Sequence, residues 1–121
     1  MDILIIDDSK AMRMIVRKTL RQAGFGDHDV REAGDGVEGL KAIEEKKPDL
    51  VLCDWNMPNM SGIQLLEALR DRAINVPFGF VTSEGTVEMR QQAASTGAKF
   101  LIAKPFTVEA FETALKPLLG G

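Results

Sequence analysis

Short apolar runs recur along the chain, and longer segments with helical periodicity separate them. The runs occupy residues 3–6, 30–33, 50–53, 78–81 and 100–103. The first, third and fourth are almost continuously apolar, which is typical of strands covered on both faces of a parallel sheet. The second run is weaker, because two of its four residues are charged. The pattern therefore predicts five strands, of which the first, third and fourth are the most deeply buried.

Between these runs, apolar residues repeat at the spacing of amphipathic helices. The stripes are formed by Met12, Ile15, Val16, Leu20 and Ala23 in the first helix, by Ile63, Leu66 and Leu69 in the third, and by Val108, Phe111, Leu115 and Leu118 in the last. The second and fourth helices are predicted over the more polar residues 37–45 and 87–96. Pro48, Pro77 and Gly97 lie between segments, which agrees with this division.

Strand and helix alternate five times, which predicts the α/β class and a single (βα)5 doubly wound parallel sheet. The common strand order for a sheet of this size is the flavodoxin-like 2-1-3-4-5. In that order a ligand crevice lies where the order reverses, between the first and third strands. We therefore expect the functional residues at the carboxyl ends of these two strands.

Composition narrows the class of protein. The chain of 121 residues predicts one domain, and its 45% hydrophobic and 27% charged content is that of an ordinary soluble globular protein. A net charge of -3 with dispersed basic residues argues against nucleic-acid binding. The chain has no signal-peptide pattern and no apolar stretch near the ~20 residues of a membrane span. The one cysteine, Cys53, lies in an apolar run and predicts a buried, inert thiol, so a cytoplasmic protein is expected.

Polar side chains follow four of the predicted strands. Asp7 and Asp8 follow the first strand, Asp54 the third, Thr82 the fourth and Lys104 the fifth. Because the carboxyl ends of parallel strands lie at one edge of a sheet, we expect these side chains to lie close together. Considered alone, each residue could instead have an ordinary structural role, as a helix cap, a turn residue or a solvated side chain.

Three neighbouring carboxylates need cations. Two unit charges ~4 Å apart repel by ~4 kcal/mol at an effective dielectric constant near 20, several times the ~1 kcal/mol of a helix cap. Lys104 supplies one positive charge. Oxygen ligands without a nearby histidine indicate Mg²⁺, Mn²⁺ or Ca²⁺, and Mg²⁺ fits because it keeps positions for water and a phosphate oxygen. Asp54 is then a candidate nucleophile for phosphoryl transfer, with Thr82 and Lys104 contacting the phosphoryl group.

The motifs DD, DWNMPNMSG, TSE and KPF together resemble the receiver domain of bacterial two-component response regulators, and most of all its stand-alone chemotaxis members. The resemblance covers residues 2–119. It implies that Asp54 accepts a phosphoryl group from a sensor histidine kinase. It also implies that Asp7, Asp8, Asp54 and the backbone carbonyl of Asn56 bind Mg²⁺, with Mn²⁺ as a substitute, and that the peptide bond between Lys104 and Pro105 is cis.

By the same resemblance, four positions are expected to modulate this chemistry: Asn56, Glu84, Leu101 and Pro105, the last through its cis peptide bond. Asn56 and Glu84 occupy the two positions that help to set phosphoryl lifetime in the family. Leu101 stands where receivers often carry tyrosine or phenylalanine. It offers the switch no hydroxyl and a different volume, and the adjacent Phe100 should point to the other face of its strand.

The resemblance further implies a receiver domain over residues 1–121 without an output domain. Its signalling output would be a change in the binding of a protein target. The target would bind on the face formed by the fourth helix, fifth strand and fifth helix. The target would be a motor switch, a phosphotransferase or a phosphatase, and the protein would be monomeric when unphosphorylated. It would not be an enzyme, although it would assist its own phosphorylation and dephosphorylation.

Several other functions stay open. The chain could be a phosphorelay intermediate or a phosphate sink without a motor target. A Mg²⁺-dependent aspartyl phosphatase of the haloacid dehalogenase type is opposed by the adjacent aspartates of DDSK, where that class carries DxDx. A flavodoxin-like electron carrier is opposed by the same two acids, which would repel its phosphate. Two single residues have ordinary readings: Trp55 packs at the loop, and His28 is not a metal ligand.

Overall fold

A computed structural model describes residues 1–119, in which five strands alternate with five helices. The strands are β1 (Asp2–Ile6), β2 (Asp29–Ala33), β3 (Leu50–Cys53), β4 (Phe78–Thr82) and β5 (Phe100–Ala103). The helices are α1 (Lys10–Gln22), α2 (Gly36–Glu45), α3 (Gly62–Asp71), α4 (Val87–Thr96) and α5 (Val108–Leu119). The predicted runs of apolar residues therefore correspond to strands, and the two polar segments are helices as expected.

The strands form one parallel sheet in the order β2-β1-β3-β4-β5, which confirms the predicted topology. The order reverses between β1 and β3, where Ile6 is the register partner of Cys53. The residues that follow these partners, Asp7 and Asp54, therefore leave the sheet side by side. The register of β1 against β3 thus brings together two acids that lie far apart in the sequence.

Hydrophobic cores cover both faces of the sheet, because successive side chains of a strand point to opposite faces. On one face, Leu4 and Ile6 of β1 pack with residues of α2, α3 and α4. On the other face, Ile3 and Ile5 pack with residues of α1 and α5. All residues of β1, β3 and β4 are buried, as the continuous apolar runs predicted.

Polar caps begin all five helices. In each case a side-chain oxygen accepts a hydrogen bond from the backbone N–H three residues further on, and the capping residues are Ser9, Asp35, Ser61, Thr86 and Thr107. Each cap of this kind stabilises a helix by about 1 kcal/mol. α4 ends at Gly97, whose φ of 109° is in the left-handed region that glycine adopts without steric cost. The caps thus fix where each chain segment turns from the site edge of the sheet into a helix.

One detail of the predicted α1 stripe is wrong. Ile15 is 47% exposed, whereas Thr19 is buried and donates its hydroxyl to the Ile15 carbonyl oxygen at 2.8 Å. The face that contacts the sheet is centred on Val16 and Leu20, and Ile15 lies about 100° from Val16 around the helix. Ile15 is apolar, but its angular position faces solvent.

Within residues 1–119, no helix combines the length and the apolar character needed to cross a bilayer.

Candidate metal and phosphoacceptor site

Three aspartates meet where the strand order reverses. One ligand oxygen each of Asp7, Asp8 and Asp54 lies within 4.8 Å of the others. The backbone holds two of them, because the N–H of Asp54 donates to the Ile6 carbonyl at 2.9 Å and that of Asp7 donates to the Ala33 carbonyl at 3.2 Å. Asp7 is buried, Asp54 is partly buried and Asp8 is exposed. The expected acidic cluster is therefore present.

Local hydrogen bonds orient two of these carboxylates. Asp7 Oδ1 accepts the N–H of Ser9 at 2.9 Å, and Asp54 Oδ1 accepts the N–H of Trp55 at 2.7 Å. Each bond occupies the Oδ1 atom of its carboxylate, so Oδ2 is available for another partner. The two Oδ2 atoms are both contacted by Lys104.

Lys104, which follows β5, reaches Asp7 and Asp54. Its Nζ lies 3.1 Å from Asp7 Oδ2 and 3.4 Å from Asp54 Oδ2, and its side chain is only 14% exposed. A lysine ammonium is a compact point charge, and partial burial strengthens its attraction to both carboxylates. Lys104 thus supplies the cation that sequence reasoning required, although it contacts only two of the three acids.

Burial affects the ionisation of the two neighbouring residues at the end of β3. Burial raises the pKa of Asp54, and the charge of Asp7 raises it further, while Lys104 and the Trp55 N–H lower it; the net pKa is above its ordinary value. Burial also raises the pKa of the Cys53 thiol well above its usual range, with Asp54 and Asp7 adding to the effect. Cys53 is fully buried, which agrees with the inert thiol that was predicted.

The donor atoms at this edge fit a hard divalent cation. Three carboxylates cluster here and the Lys104 ammonium contacts two of them, so negative charge is in excess; the clustered ligand atoms are all oxygens. Hard cations such as Mg²⁺ take oxygen ligands and commonly use one or two carboxylates together with water. Asp7, Asp8 and Asp54 could therefore hold such an ion, and the residues present fit it.

Asn56 lies in the loop that links β3 to α3 and is exposed. The loop closes tightly beside it, because the N–H of Gly62 donates to the Trp55 carbonyl at 2.8 Å. A Cβ on Gly62 would lie 2.2 Å from the Asp54 carbonyl oxygen, so only glycine fits at this position. The Trp55 ring is 9% exposed and lies 4.7 Å from the Phe80 ring between centroids, which confirms its packing role.

Thr82 is fully buried at the end of β4, in line with the site edge of the sheet. Its hydroxyl oxygen accepts the N–H of Glu84 at 3.3 Å, and Glu84 itself is exposed. In the described part of the chain, no hydrogen bond joins Thr82 to the three acids. Thr82 therefore lies on the predicted edge but, among the described residues, forms no hydrogen bond with the acidic cluster.

The remaining predicted positions follow β5. Leu101 is partly buried and packs on the core that contains Trp55 and Phe80, whereas Phe100 packs on the opposite core, as the strand alternation required. The peptide bond between Lys104 and Pro105 is cis, which confirms the expectation from the resemblance.

No role was predicted from the sequence for Arg13, which lies near the start of α1. The guanidinium donates to the Asp7 carbonyl oxygen at 2.5 Å and pairs with Glu32 at 2.7 Å, and the side chain is 16% exposed. One signal was present in the sequence. α1 carries Lys10 and Arg13 but no acid near its amino terminus, where the helix dipole favours negative charge. Arg13 is satisfied by the Asp7 backbone carbonyl and the Glu32 carboxylate.

Comparison with known proteins agrees with this arrangement. Residues 3–116 match the family described as the response regulator receiver domain. The chain is 37% identical over 120 residues to the probable chemotaxis protein CheY of Rhizobium etli, which covers 98% of this chain and 92% of that protein. It is 38% identical over 117 residues to chemotaxis protein CheY-3 of Vibrio cholerae, which covers 95% and 88% respectively.

A solved structure gives the same result for the fold. Vibrio cholerae chemotaxis protein CheY4 superposes with a TM-score of 0.83 at 32% sequence identity, and the match covers 98% of each chain. The similarity therefore includes every element that carries a candidate site residue.

Proposed function

The chain belongs to the response regulator receiver domain family, and from that premise we propose that it is a stand-alone regulator switched by phosphorylation of Asp54. The single observation that carries the proposal is the convergence of Asp7, Asp54 and Lys104 at the point where the strand order reverses. A phosphoryl group would come from the phosphohistidine of a sensor kinase. The relatives named as chemotaxis proteins support a place in chemotaxis signalling.

The proposed reaction is a direct phosphoryl transfer. One carboxylate oxygen of Asp54 forms a P–O bond as the P–N bond of the donor phosphohistidine breaks, and the leaving imidazole nitrogen takes up a proton. Lys104 stabilises the negative charge on the transferred oxygens, and the Thr82 hydroxyl donates to one of them. Asp7 and Asp8 do not react with the phosphoryl group in this scheme.

A divalent ion has a defined place in the proposal. Asp7, Asp8, Asp54 and the backbone carbonyl of Asn56 would hold Mg²⁺, or Mn²⁺ as a substitute, and the ion would offset charge on the phosphoryl oxygens. Asp54 would then serve both as ligand and as phosphoacceptor. Asn56 and Glu84 lie at the positions proposed to set how fast the domain removes its own phosphoryl group, so the protein assists its own reactions without steady turnover of a substrate.

The proposed output is a change in what the α4-β5-α5 face binds. A groove of about 590 Å³ lies on this face, and Arg90, Leu101 and Phe106 are among its lining residues. α4 buries only Ala93, so most of its surface is available to a partner. We propose a motor switch, phosphotransferase or phosphatase as partner, a cytoplasmic location, and a monomer in the unphosphorylated form.

Leu101 favours a second candidate output. Without an aromatic ring at this position, the switch lacks the side chain that many receivers move when the threonine moves. A phosphorelay intermediate or a phosphate sink needs the phosphoacceptor but no motor target, so it tolerates leucine there. Binding of a motor-switch peptide by the phosphorylated protein would decide between the two outputs.

Trp55 fluorescence tests the phosphoacceptor proposal, because Trp55 is the only tryptophan and adjoins Asp54. Mg²⁺ would be titrated first, and acetyl phosphate or beryllofluoride added next. We expect saturable quenching by Mg²⁺ and a further response to the phosphoryl donor. Asp54→Ala should abolish the second response, whereas Asp71→Asn, an exposed acid at the end of α3, should keep both. A folded wild-type protein that does not respond to Mg²⁺ would overturn the proposal.

A further inference from the structure

The loop between β3 and α3 contacts the start of α2 through a side-chain hydrogen bond. Asn59 Nδ2 donates to Asp35 Oδ2 at 2.8 Å, across 24 residues of sequence. The other oxygen of the same carboxylate, Oδ1, accepts the N–H of Glu38 at 2.8 Å and caps α2. Asp35 therefore joins the first turn of α2 to the loop.

The Asp35 carboxylate is suited to hold this contact. It is 9% exposed, and both of its oxygens have partners. The Glu38 N–H and the Asn59 amide lower the pKa of Asp35 below its ordinary value, so the group is ionised at neutral pH. A hydrogen bond to an ionised acceptor is roughly twice as strong as one between neutral groups.

The loop backbone is also packed directly against α2. A Cβ on Gly36 would lie 2.6 Å from the Met60 carbonyl oxygen, so the glycine permits this close approach. Asn59 adopts a φ of 68°, in the left-handed region that asparagine tolerates better than most residues. The next residue donates its N–H to the Pro58 carbonyl at 2.7 Å, which tightens the turn further.

These contacts hold the part of the loop that follows Asn56 in the sequence. Directly before Asn56, the Trp55 carbonyl accepts the Gly62 N–H at 2.8 Å. Asn56 lies between the two held points and is itself exposed. Its backbone conformation therefore depends on contacts made by other residues of the loop.

We propose that Asn59 is a positioning residue, which holds through Asp35 the loop segment that presents the Asn56 carbonyl to a divalent cation. The inference rests on the proposed function, because it assumes that this carbonyl is a ligand. Residues that orient metal ligands commonly change metal affinity by 10–100-fold when they are replaced. The loop keeps its other contacts, so we expect a change of about tenfold, at the lower end of that range.

Two variants separate the hydrogen bond from other roles of the same residues. Asn59→Gly keeps the left-handed backbone accessible and removes the amide. Asp35→Ser keeps a cap for the Glu38 N–H and removes the oxygen that Asn59 uses. Asn75→Gly is the matched control, because Asn75 is exposed in the connection between α3 and β4.

The test measures the Mg²⁺ dissociation constant by Trp55 fluorescence. We expect about a tenfold increase in Asn59→Gly and in Asp35→Ser, no further increase in the double variant, and no change in Asn75→Gly. Hydrogen exchange in EDTA gives a readout without metal, and the Met60 amide should exchange faster in both single variants. If Asn59→Gly proves unfolded by circular dichroism, Asn59→Asp is used, which keeps the shape and places like charges together.

The outcomes distinguish this inference from the proposed function. If wild type binds Mg²⁺ and both folded variants bind it equally well, the positioning role is wrong and the proposed site survives. Additive losses in the double variant would also overturn it, because two residues that act through one hydrogen bond do not lose that bond twice. If wild type does not bind Mg²⁺, the proposed site itself is wrong.

Discussion

Replacing Asp54 by asparagine should stabilise the protein in EDTA, although the proposed function depends on this residue. Asparagine keeps the size of the side chain and an oxygen that can accept the Trp55 N–H. It removes a negative charge that is 12% exposed and lies in a cluster of three acids. Stability and the proposed chemistry therefore make opposite demands on the charge of this residue.

The size of the effect follows from the distances. Ligand oxygens of Asp7 and Asp8 lie within 4.8 Å of that of Asp54, and each pair at this distance repels by about 3.5 kcal/mol at an effective dielectric constant of 20. The Lys104 ammonium at 3.4 Å attracts the Asp54 carboxylate by about 5 kcal/mol at the same dielectric constant, and the substitution removes this attraction as well. Since Asp8 is exposed and its repulsion is screened, we expect a net gain of roughly 1 kcal/mol for Asp54→Asn.

The pH dependence has a defined sign. Burial, followed by the charge of Asp7, raises the pKa of Asp54 above that of an unfolded aspartate, which is about 3.9. Between these two pKa values the folded protein binds more protons than the unfolded chain, so the contribution of this group to stability falls as the pH rises. The advantage of Asp54→Asn should be full above the folded pKa and should shrink as the pH falls through it.

Urea unfolding in EDTA, followed by circular dichroism at neutral and acidic pH, measures this difference. Circular dichroism is preferred to fluorescence because the substitution adjoins Trp55. Asp71→Asn controls for the general loss of one negative charge. A variant equal to or less stable than wild type at neutral pH would refute the electrostatic reasoning, and so would an advantage that grows on acidification.

Three local features of the fold lead to further predictions. Gly79→Ala should lower the free energy of unfolding by about 1–3 kcal/mol, because the added Cβ would lie 2.1 Å from the Phe100 ring. Adding Phe100→Leu to this variant should recover part of the lost stability. No recovery would show that the clash is elsewhere. Ser61→Ala should cost about 1 kcal/mol in urea unfolding, because Ser61 and Gln64 form a capping box; an unchanged midpoint would contradict this. Cys53 is fully buried, so a thiol reagent should label it only in denaturant, and rapid labelling of the native protein would disprove the burial.

Much of the fold follows from hydrophobic periodicity. The predicted runs at 50–53 and 100–103 coincide with β3 and β5, because a short apolar run between turn residues has few other ways to bury its side chains. Ile15 shows the limit of the method. A stripe drawn from apolar residue types includes it, but the contact face of α1 takes Thr19 instead, whose hydroxyl bonds within the helix.

The candidate site was predictable to the extent that topology alone determines it. Parallel strands bring Asp7, Asp54 and Lys104 to one edge of the sheet, and this placement does not depend on the conformation of the loops. The contact between Asn59 and Asp35 was not predictable, because it requires a positive φ and a close approach at a neighbouring glycine, neither of which has a periodic signature.

The central claim is that Asp54 accepts a phosphoryl group in a reaction that needs a divalent cation. Intact-protein mass spectrometry after incubation with acetyl phosphate and Mg²⁺ tests it most directly, with EDTA and Asp54→Asn as controls. We expect one added phosphoryl group on wild type with Mg²⁺, and none on wild type in EDTA or on Asp54→Asn. The same adduct on Asp54→Asn, or none on a wild-type protein that binds Mg²⁺, would contradict it.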